Sequence, residues 1–175
     1  MIKNVKFTII IIFILFIFII FLKGLEKPNN YTPKNTLNKF EYSFSAKSLY
    51  KNEDVSLEEL TISKNFSLIN IWASWCLPCR TEHSYLVDLK KIKNLNIIGI
   101  NYKDKKINAK KFLDDLGNPY SEILMDMDGT KSIELGAYGV PETYLINNKT
   151  REIIKRYIGP LDETKYKQII KIIKK

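Results

Sequence analysis

Ser67-Leu68-Ile69-Asn70-Ile71-Trp72-Ala73-Ser74-Trp75-Cys76-Leu77-Pro78-Cys79-Arg80 is the stretch on which the fold turns. It opens as a short Ile-rich apolar run, the pattern of a buried strand. It ends in Cys-x-x-Cys, and Tyr85, Leu86, Leu89 and Ile92 then recur at helical spacing. The order is therefore strand, two cysteines, helix. The first cysteine stands at the helix N-terminus, where unpaired N–H groups and the helix dipole favour negative charge. A thiolate is favoured there, and the thiolate is the form that attacks a disulfide. The second cysteine lies one turn on, within reach of the first. Pro78 has no N–H, which costs nothing in the first turn, where those donors lack partners anyway.

The rest of the composition narrows the chemistry. The two cysteines are the only ones in 175 residues. A disulfide framework would need several, spread along the chain. A structural zinc would need about four ligands, and Cys76, Cys79 and His83 offer three. The pair reads as a redox pair with no metal or organic cofactor. The formal charge of +9 raises nucleic-acid binding. Residues 1–27 hold four Lys and one Glu, which leaves 24 basic and 18 acidic residues, a net of +6. These are mostly scattered Lys, with no dense Arg stripe and no nucleic-acid motif. We read the charge as solvated surface.

Phe7 to Leu22 is almost pure Ile, Phe and Leu, flanked by Lys3, Lys6 and Lys23. Sixteen helical residues span about 24 Å, slightly short of a bilayer's hydrocarbon core. Val5 and snorkelling Lys side chains narrow the gap. A cleaved signal peptide would carry a shorter apolar run and a small-residue cleavage site, which Lys23-Gly24-Leu25-Glu26-Lys27-Pro28 does not offer. We expect an uncleaved anchor over 1–23, inserted through residues 5–22. Basic residues are denser before the span, which keeps the N-terminus cytoplasmic and exports the remainder. Residues 24–37, polar and broken by Pro28 and Pro33, read as a linker, and 38–175 as one domain.

In that domain Phe40–Phe44 alternates like a half-buried strand, and Ser56–Leu60 reads as one helical turn. Leu95–Asn101 is a second buried strand. Asn108–Leu116 is a helix with Phe112, Leu113 and Leu116 inward and Gly117 as its cap. Ser121–Met125 is a third strand, and a short helix follows Gly129. Thr143–Ile146 and Glu152–Tyr157 are strands joined at Asn147-Asn148-Lys149. Asp162 caps a last helix with Tyr166, Ile169, Ile170 and Ile173 on one face. This order predicts an α/β fold: a mixed central sheet flanked by helices.

The arrangement resembles the thioredoxin fold, with Trp72-Ala73-Ser74-Trp75-Cys76-Leu77-Pro78-Cys79 as its active-site loop. Gly99-Ile100-Asn101-Tyr102-Lys103-Asp104, Leu116-Gly117-Asn118-Pro119-Tyr120 and Gly136-Ala137-Tyr138-Gly139-Val140-Pro141-Glu142-Thr143 narrow the match. Together with Arg80-Thr81-Glu82-His83 they resemble the membrane-anchored thiol:disulfide interchange proteins of cytochrome c biogenesis, the CcmG/DsbE type. The resemblance covers roughly residues 38–175. Leu77-Pro78 departs from the commonest pair of that type and also suits general reductases of the TlpA/ResA kind.

The resemblance implies a periplasmic, inner-membrane dithiol reductant. Its partner would be apocytochrome c or a maturation component that holds it, and its electrons would come from a membrane thiol transporter. Cys76 would be the exposed nucleophile, Cys79 the buried resolving thiol, and Cys76–Cys79 the redox-active disulfide. The Val140–Pro141 bond would be cis and face the cysteines; the residues alone leave Pro141 open to a plain turn. Trp75, Leu77, Pro78, Val140 and Pro141 would form the substrate groove, with Trp72 in the core. Thioredoxins place a buried acid where Asn70 stands, so Glu82 or Glu142 would take over proton handling and tune the thiol pKa. From the residues alone, Glu82 is equally an ordinary first-turn acid, and His83 an exposed helix residue. A tethered binding module without turnover is the alternative of another class, although such a module would not need two cysteines at a helix start.

Overall fold

The structure is a computed structural model that describes residues 2–25, 44–51, 53–62 and 64–174. The chain divides into two compact units, Met1–Thr36 and Leu37–Lys175. The first contains helix α1 (Ile2–Leu25). Its described apolar side chains from Phe7 to Leu22 are all exposed. Among the described residues, no helix is long and apolar enough to cross a membrane.

The second unit is built on a five-stranded mixed sheet in the order β5-β4-β3-β6-β7. Strands β3 (Phe66–Trp72), β4 (Leu95–Tyr102) and β5 (Glu122–Asp126) run parallel. Strand β6 (Glu142–Asn147) lies antiparallel to β3, and β7 (Glu152–Ile158) antiparallel to β6. The expected α/β architecture is therefore present. A small hairpin of β1 (Ser45–Lys47) and β2 (Asp54–Ser56) precedes helix α2 (Leu57–Thr61). The strand expected at 40–44 lies, but for Phe44, outside the described residues.

Both faces of the sheet are covered, so β3 is buried almost end to end and reads as a continuous apolar run. Strand alternation divides its side chains. Leu68 and Trp72 face one core with α3 (Leu77–Leu89), α4 (Lys106–Leu116) and α6 (Glu163–Ile173). Ile69 and Ile71 face a second core with Leu57, Leu135, Tyr144 and Ile146. Helix α5 (Thr130–Glu134) precedes Leu135. Asp162 caps α6 by accepting the Lys165 N–H at 2.8 Å.

Several boundaries and faces differ from expectation. Leu116, expected inward, is exposed at the last position of α4. The β6–β7 turn begins at Asn148, because Asn147 completes β6 and its Oδ1 accepts the Lys149 and Thr150 N–H groups. Helix α4 starts two residues early, at a junction without a side-chain cap.

Gly99 pairs with Asn70 across β3 and β4. A Cβ there would lie 2.8 Å from Trp72 Nε1 and 3.0 Å from the Tyr120 ring. Its absence lets Tyr120 stack on Trp72, with centroids 5.4 Å apart, and lie against the sheet.

Candidate active site

Where β3 ends, the chain leaves the sheet and enters α3 through Cys76, the N-cap residue. Cys76 and Cys79 form a disulfide, S–S 2.04 Å. The Cys79 N–H, one of the donors a helix start leaves unpaired, lies 3.1 Å from Cys76 Sγ. That donor favours negative charge on Cys76 once the bond is reduced. The expectation that Cys76 is exposed and Cys79 buried needs correction for this oxidised form. Both are buried, Cys76 at 3% and Cys79 at 2% exposure. The exposed surface belongs to their neighbours Trp75 (58%), Leu77 (72%) and Pro78.

The loop is held from β4 and the turn after it. Asp104 accepts the Ser74 N–H at 2.6 Å and the Ser74 hydroxyl at 2.8 Å. The Lys103 carbonyl accepts the Trp75 indole N–H at 3.1 Å. On the other side, the β3–β6 register pairs Ile71 with Glu142, so Val140 and Pro141 sit beside the end of β3 from which the cysteine loop emerges. The Val140–Pro141 bond is cis. Pro141 is buried and Val140 half-buried.

Beneath the cysteines lies a carboxyl group. Cys79, Glu82, His83, Leu86 and Leu89 form the buried stripe of α3. Glu82 is fully buried. Its Oε1 accepts from Asn70 Nδ2 at 2.9 Å and its Oε2 from the Leu161 N–H at 2.7 Å. Asn70 Nδ2 also donates to Thr143 Oγ1 at 3.0 Å, and Asn70 Oδ1 accepts from the Tyr120 hydroxyl at 2.8 Å. Burial raises the Glu82 pKa to about 7, against the opposing pull of the Leu161 N–H, Asn70 and the Lys165 charge. Burial, helped by the Glu82 charge, also keeps the Tyr120 hydroxyl protonated well above its usual range.

Glu142, expected like Glu82 to tune the thiol pKa, lies on the other side of the sheet from Glu82. Alternation along β6 puts Thr143 on the Asn70 side and Glu142 with Tyr144 on the other. Its Oε1 accepts from the Arg156 guanidinium and from the Tyr144 hydroxyl at 2.7 Å, and its Oε2 from the Tyr138 N–H at 3.2 Å. Arg156 in turn donates to the Gly136 carbonyl at 2.7 Å. Glu142 thus secures the 136–141 loop from behind. His83, expected on the surface, is buried: its Nε2 lies 2.7 Å from the Gly117 carbonyl, and its ring meets Phe112 edge-on. A carbonyl can only accept, so Nε2 carries the proton. Burial lowers the His83 pKa, and the nearby Arg80 charge adds to the effect.

The sequence that builds this site matches a known family. A model described as Redoxin matches residues 32–170. The chain belongs to the redoxin family. Among curated proteins, it is 47% identical over 105 residues to the thiol:disulfide interchange protein CycY of Rhizobium leguminosarum bv. viciae, covering 60% of this chain and 56% of the relative. It is 43% identical over 105 residues to the thiol:disulfide interchange protein DsbE of Escherichia coli (strain K12), covering 59% and 55%. The chain spans a little over half the length of these relatives. A solved thiol:disulfide interchange protein of the thioredoxin family from Chlorobium tepidum TLS shares the fold, with TM-score 0.61 and 22% identity over 77% of this chain and 95% of that one. A DsbF homologue from Corynebacterium diphtheriae does so with TM-score 0.63 and 23% identity, over 74% and 83%.

In this redoxin, sequence reasoning missed three members of the site. Tyr120 and Thr143 complete the polar cluster around Asn70. The signal for Tyr120 was Gly99, a glycine in a strand interior, which marks a close approach. Asp104 stood in a stretch that marked the resemblance but carried no role.

Proposed function

We propose that this redoxin is a thiol–disulfide oxidoreductase that works as a dithiol reductant in cytochrome c maturation. The observation that carries the reading is the Cys76–Cys79 pair at the N-terminus of α3, with Cys79 N–H on Cys76 Sγ and a titratable carboxyl one turn below. The similarity to CycY and DsbE proteins supports the same reading.

In the working direction the pair starts reduced. The Cys76 thiolate attacks a partner's disulfide, forms a mixed disulfide and expels one partner thiolate, which takes a proton. Cys79 loses its proton and attacks the Cys76 sulfur. The Cys76–Cys79 disulfide forms and the second partner thiolate leaves, so two electrons pass to the partner. Glu82, which titrates near neutral pH on the same helix face as Cys79, is the acceptor for the Cys79 proton. Trp75, Leu77 and Pro78 supply the exposed wall against which the partner lies, and the Val140–Pro141 segment supplies the opposite edge. The partner is apocytochrome c or a protein that holds it, since haem attachment needs free thiols in an oxidising compartment. A membrane thiol transporter returns the pair to the reduced form.

The apolar run from Phe7 to Leu22, with Lys3 and Lys6 before it, supports reading this segment as a single-pass inner-membrane anchor with the catalytic domain in the periplasm. Intact mass of membrane-extracted protein tests this: a mature chain starting near residue 24 would sink it.

Leu77-Pro78 favours a second reading, a general reductase of the TlpA/ResA kind. Cys79→Ser, expressed in the native host, traps the Cys76-linked partner and separates the two. An apocytochrome c or maturation component supports the first reading, and an assortment of unrelated proteins the second. Loss of insulin reduction in Cys76→Ser is expected from either. A Cys76→Ser protein that still reduced insulin would remove Cys76 as the nucleophile.

A further inference from the structure

The turn after β4 holds a non-glycine residue, Lys103, at φ 44°, in the left-handed region that β-carbons disfavour. Such a conformation persists only where the surroundings fix it. Here the Lys103 N–H donates to the Asp126 carbonyl at 2.8 Å and its carbonyl accepts the Trp75 indole at 3.1 Å. The next residue, Asp104, is buried, with four neutral donors converging on its two oxygens. Ser74 N–H and Asn101 Nδ2 reach Oδ2, at 2.6 and 3.1 Å. Ser74 Oγ and Lys105 N–H reach Oδ1, at 2.8 and 2.7 Å. This one turn therefore binds both residues that precede Cys76.

Cys76 is buried at 3% between two exposed side chains, yet an attacking or attacked sulfur must meet its partner in line. A shift of the 73–75 loop would expose the sulfur further, and it would break the Asp104 contacts to Ser74. We propose that Asp104 is a positioning residue for Cys76: its bonds to Ser74 set how often the loop opens, and so how reachable the Cys76 sulfur is. A carboxylate suits the task because it only accepts. An amide of the same shape would turn its NH2 toward two of the four donors.

The inference rests on the reading of Cys76 as the attacking thiol, but its test needs no partner. The reduced full-length protein, in detergent, is alkylated with limiting iodoacetamide across a pH series, and the label is mapped to Cys76. The plateau rate at high pH, where the thiolate is fully formed, reports access; the midpoint reports the thiol pKa. Asp104→Asn should raise the plateau rate at Cys76 by about tenfold, the equilibrium worth of one charge-assisted hydrogen bond. Ser74→Ala removes only the hydroxyl contact and should give a smaller rise in the same direction. A plateau within about twofold of wild type in folded Asp104→Asn would overturn the proposal. If Asp104→Asn fails to fold, Ser74→Ala decides, and an unchanged plateau there overturns it equally. Insulin reduction by Cys76→Ser, measured separately, would overturn the reading of Cys76 instead.

Discussion

Glu82 and Glu142 are both fully buried carboxyl groups at the same end of one sheet, yet their surroundings differ in kind. Glu82 lies against the α3 side, and its hydrogen bonds come from an amide and a peptide N–H. Glu142 lies on the opposite side, paired with Arg156 and bonded to Tyr144 and the Tyr138 N–H. A buried acid without a cation in contact holds its proton to higher pH, whereas one with a bonded guanidinium is held as part of an ion pair. The first can move a proton near neutral pH; the second is suited to fixing a loop. What divides them is one step of strand alternation: Thr143, not Glu142, faces Asn70.

The largest expected effect breaks the Glu142 side. Arg156→Met leaves a buried carboxylate without its cation, which should cost about 3–4 kcal/mol in urea denaturation. The lower part of the usual range applies because the Arg156 side chain keeps 24% exposure. A loss below about 1 kcal/mol, the scale of a surface pair, would mean that solvent already screens the interaction.

The next effect concerns Glu82. Its pKa is raised from 4.5 to about 7, so the folded protein holds this proton more tightly than the unfolded chain. Between those values folding takes up a proton, and stability therefore falls as pH rises through the window and levels off above it. The full span is at most about 3 kcal/mol. Urea midpoints of the oxidised protein from about pH 4 to 8 measure it, with Glu82→Gln expected to lose most of the slope. A wild-type slope that persists in Glu82→Gln would place the proton elsewhere.

The smallest expected effect is none. Glu142→Gln should leave the Cys76 thiol pKa where it is, because its carboxylate faces Arg156 and the second core. Thiolate absorbance against pH measures this. A fall of about one unit would return Glu142 to the sulfurs' field and erase the contrast.

The sequence made the framework legible for physical reasons that also explain its failures. Buried parallel strands flanked by helices leave long apolar runs and a period switch, and 66–72 and 77–89 carry both. The cysteine pair was legible because its chemistry needs a helix start. Glu142 was misjudged because a position after a proline does not reveal strand parity; the β3–β6 register does. His83 was misjudged because a lone histidine gives no sign of a carbonyl such as that of Gly117, 34 residues away, waiting for its N–H. Asp104 was invisible as a contact because it meets Ser74 only after β3 and β4 pair, 30 residues apart.

The most direct test is the titration of Glu82 itself. Carboxyl-carbon NMR of the oxidised protein labelled at glutamate, with Glu82→Gln to assign the resonance, gives its midpoint. A midpoint near 7 is expected, the value to which burial raises it. A midpoint near the ordinary 4.5 would contradict the proton-acceptor role, because Glu82 would then be ionised throughout the working range and could not exchange a proton with Cys79.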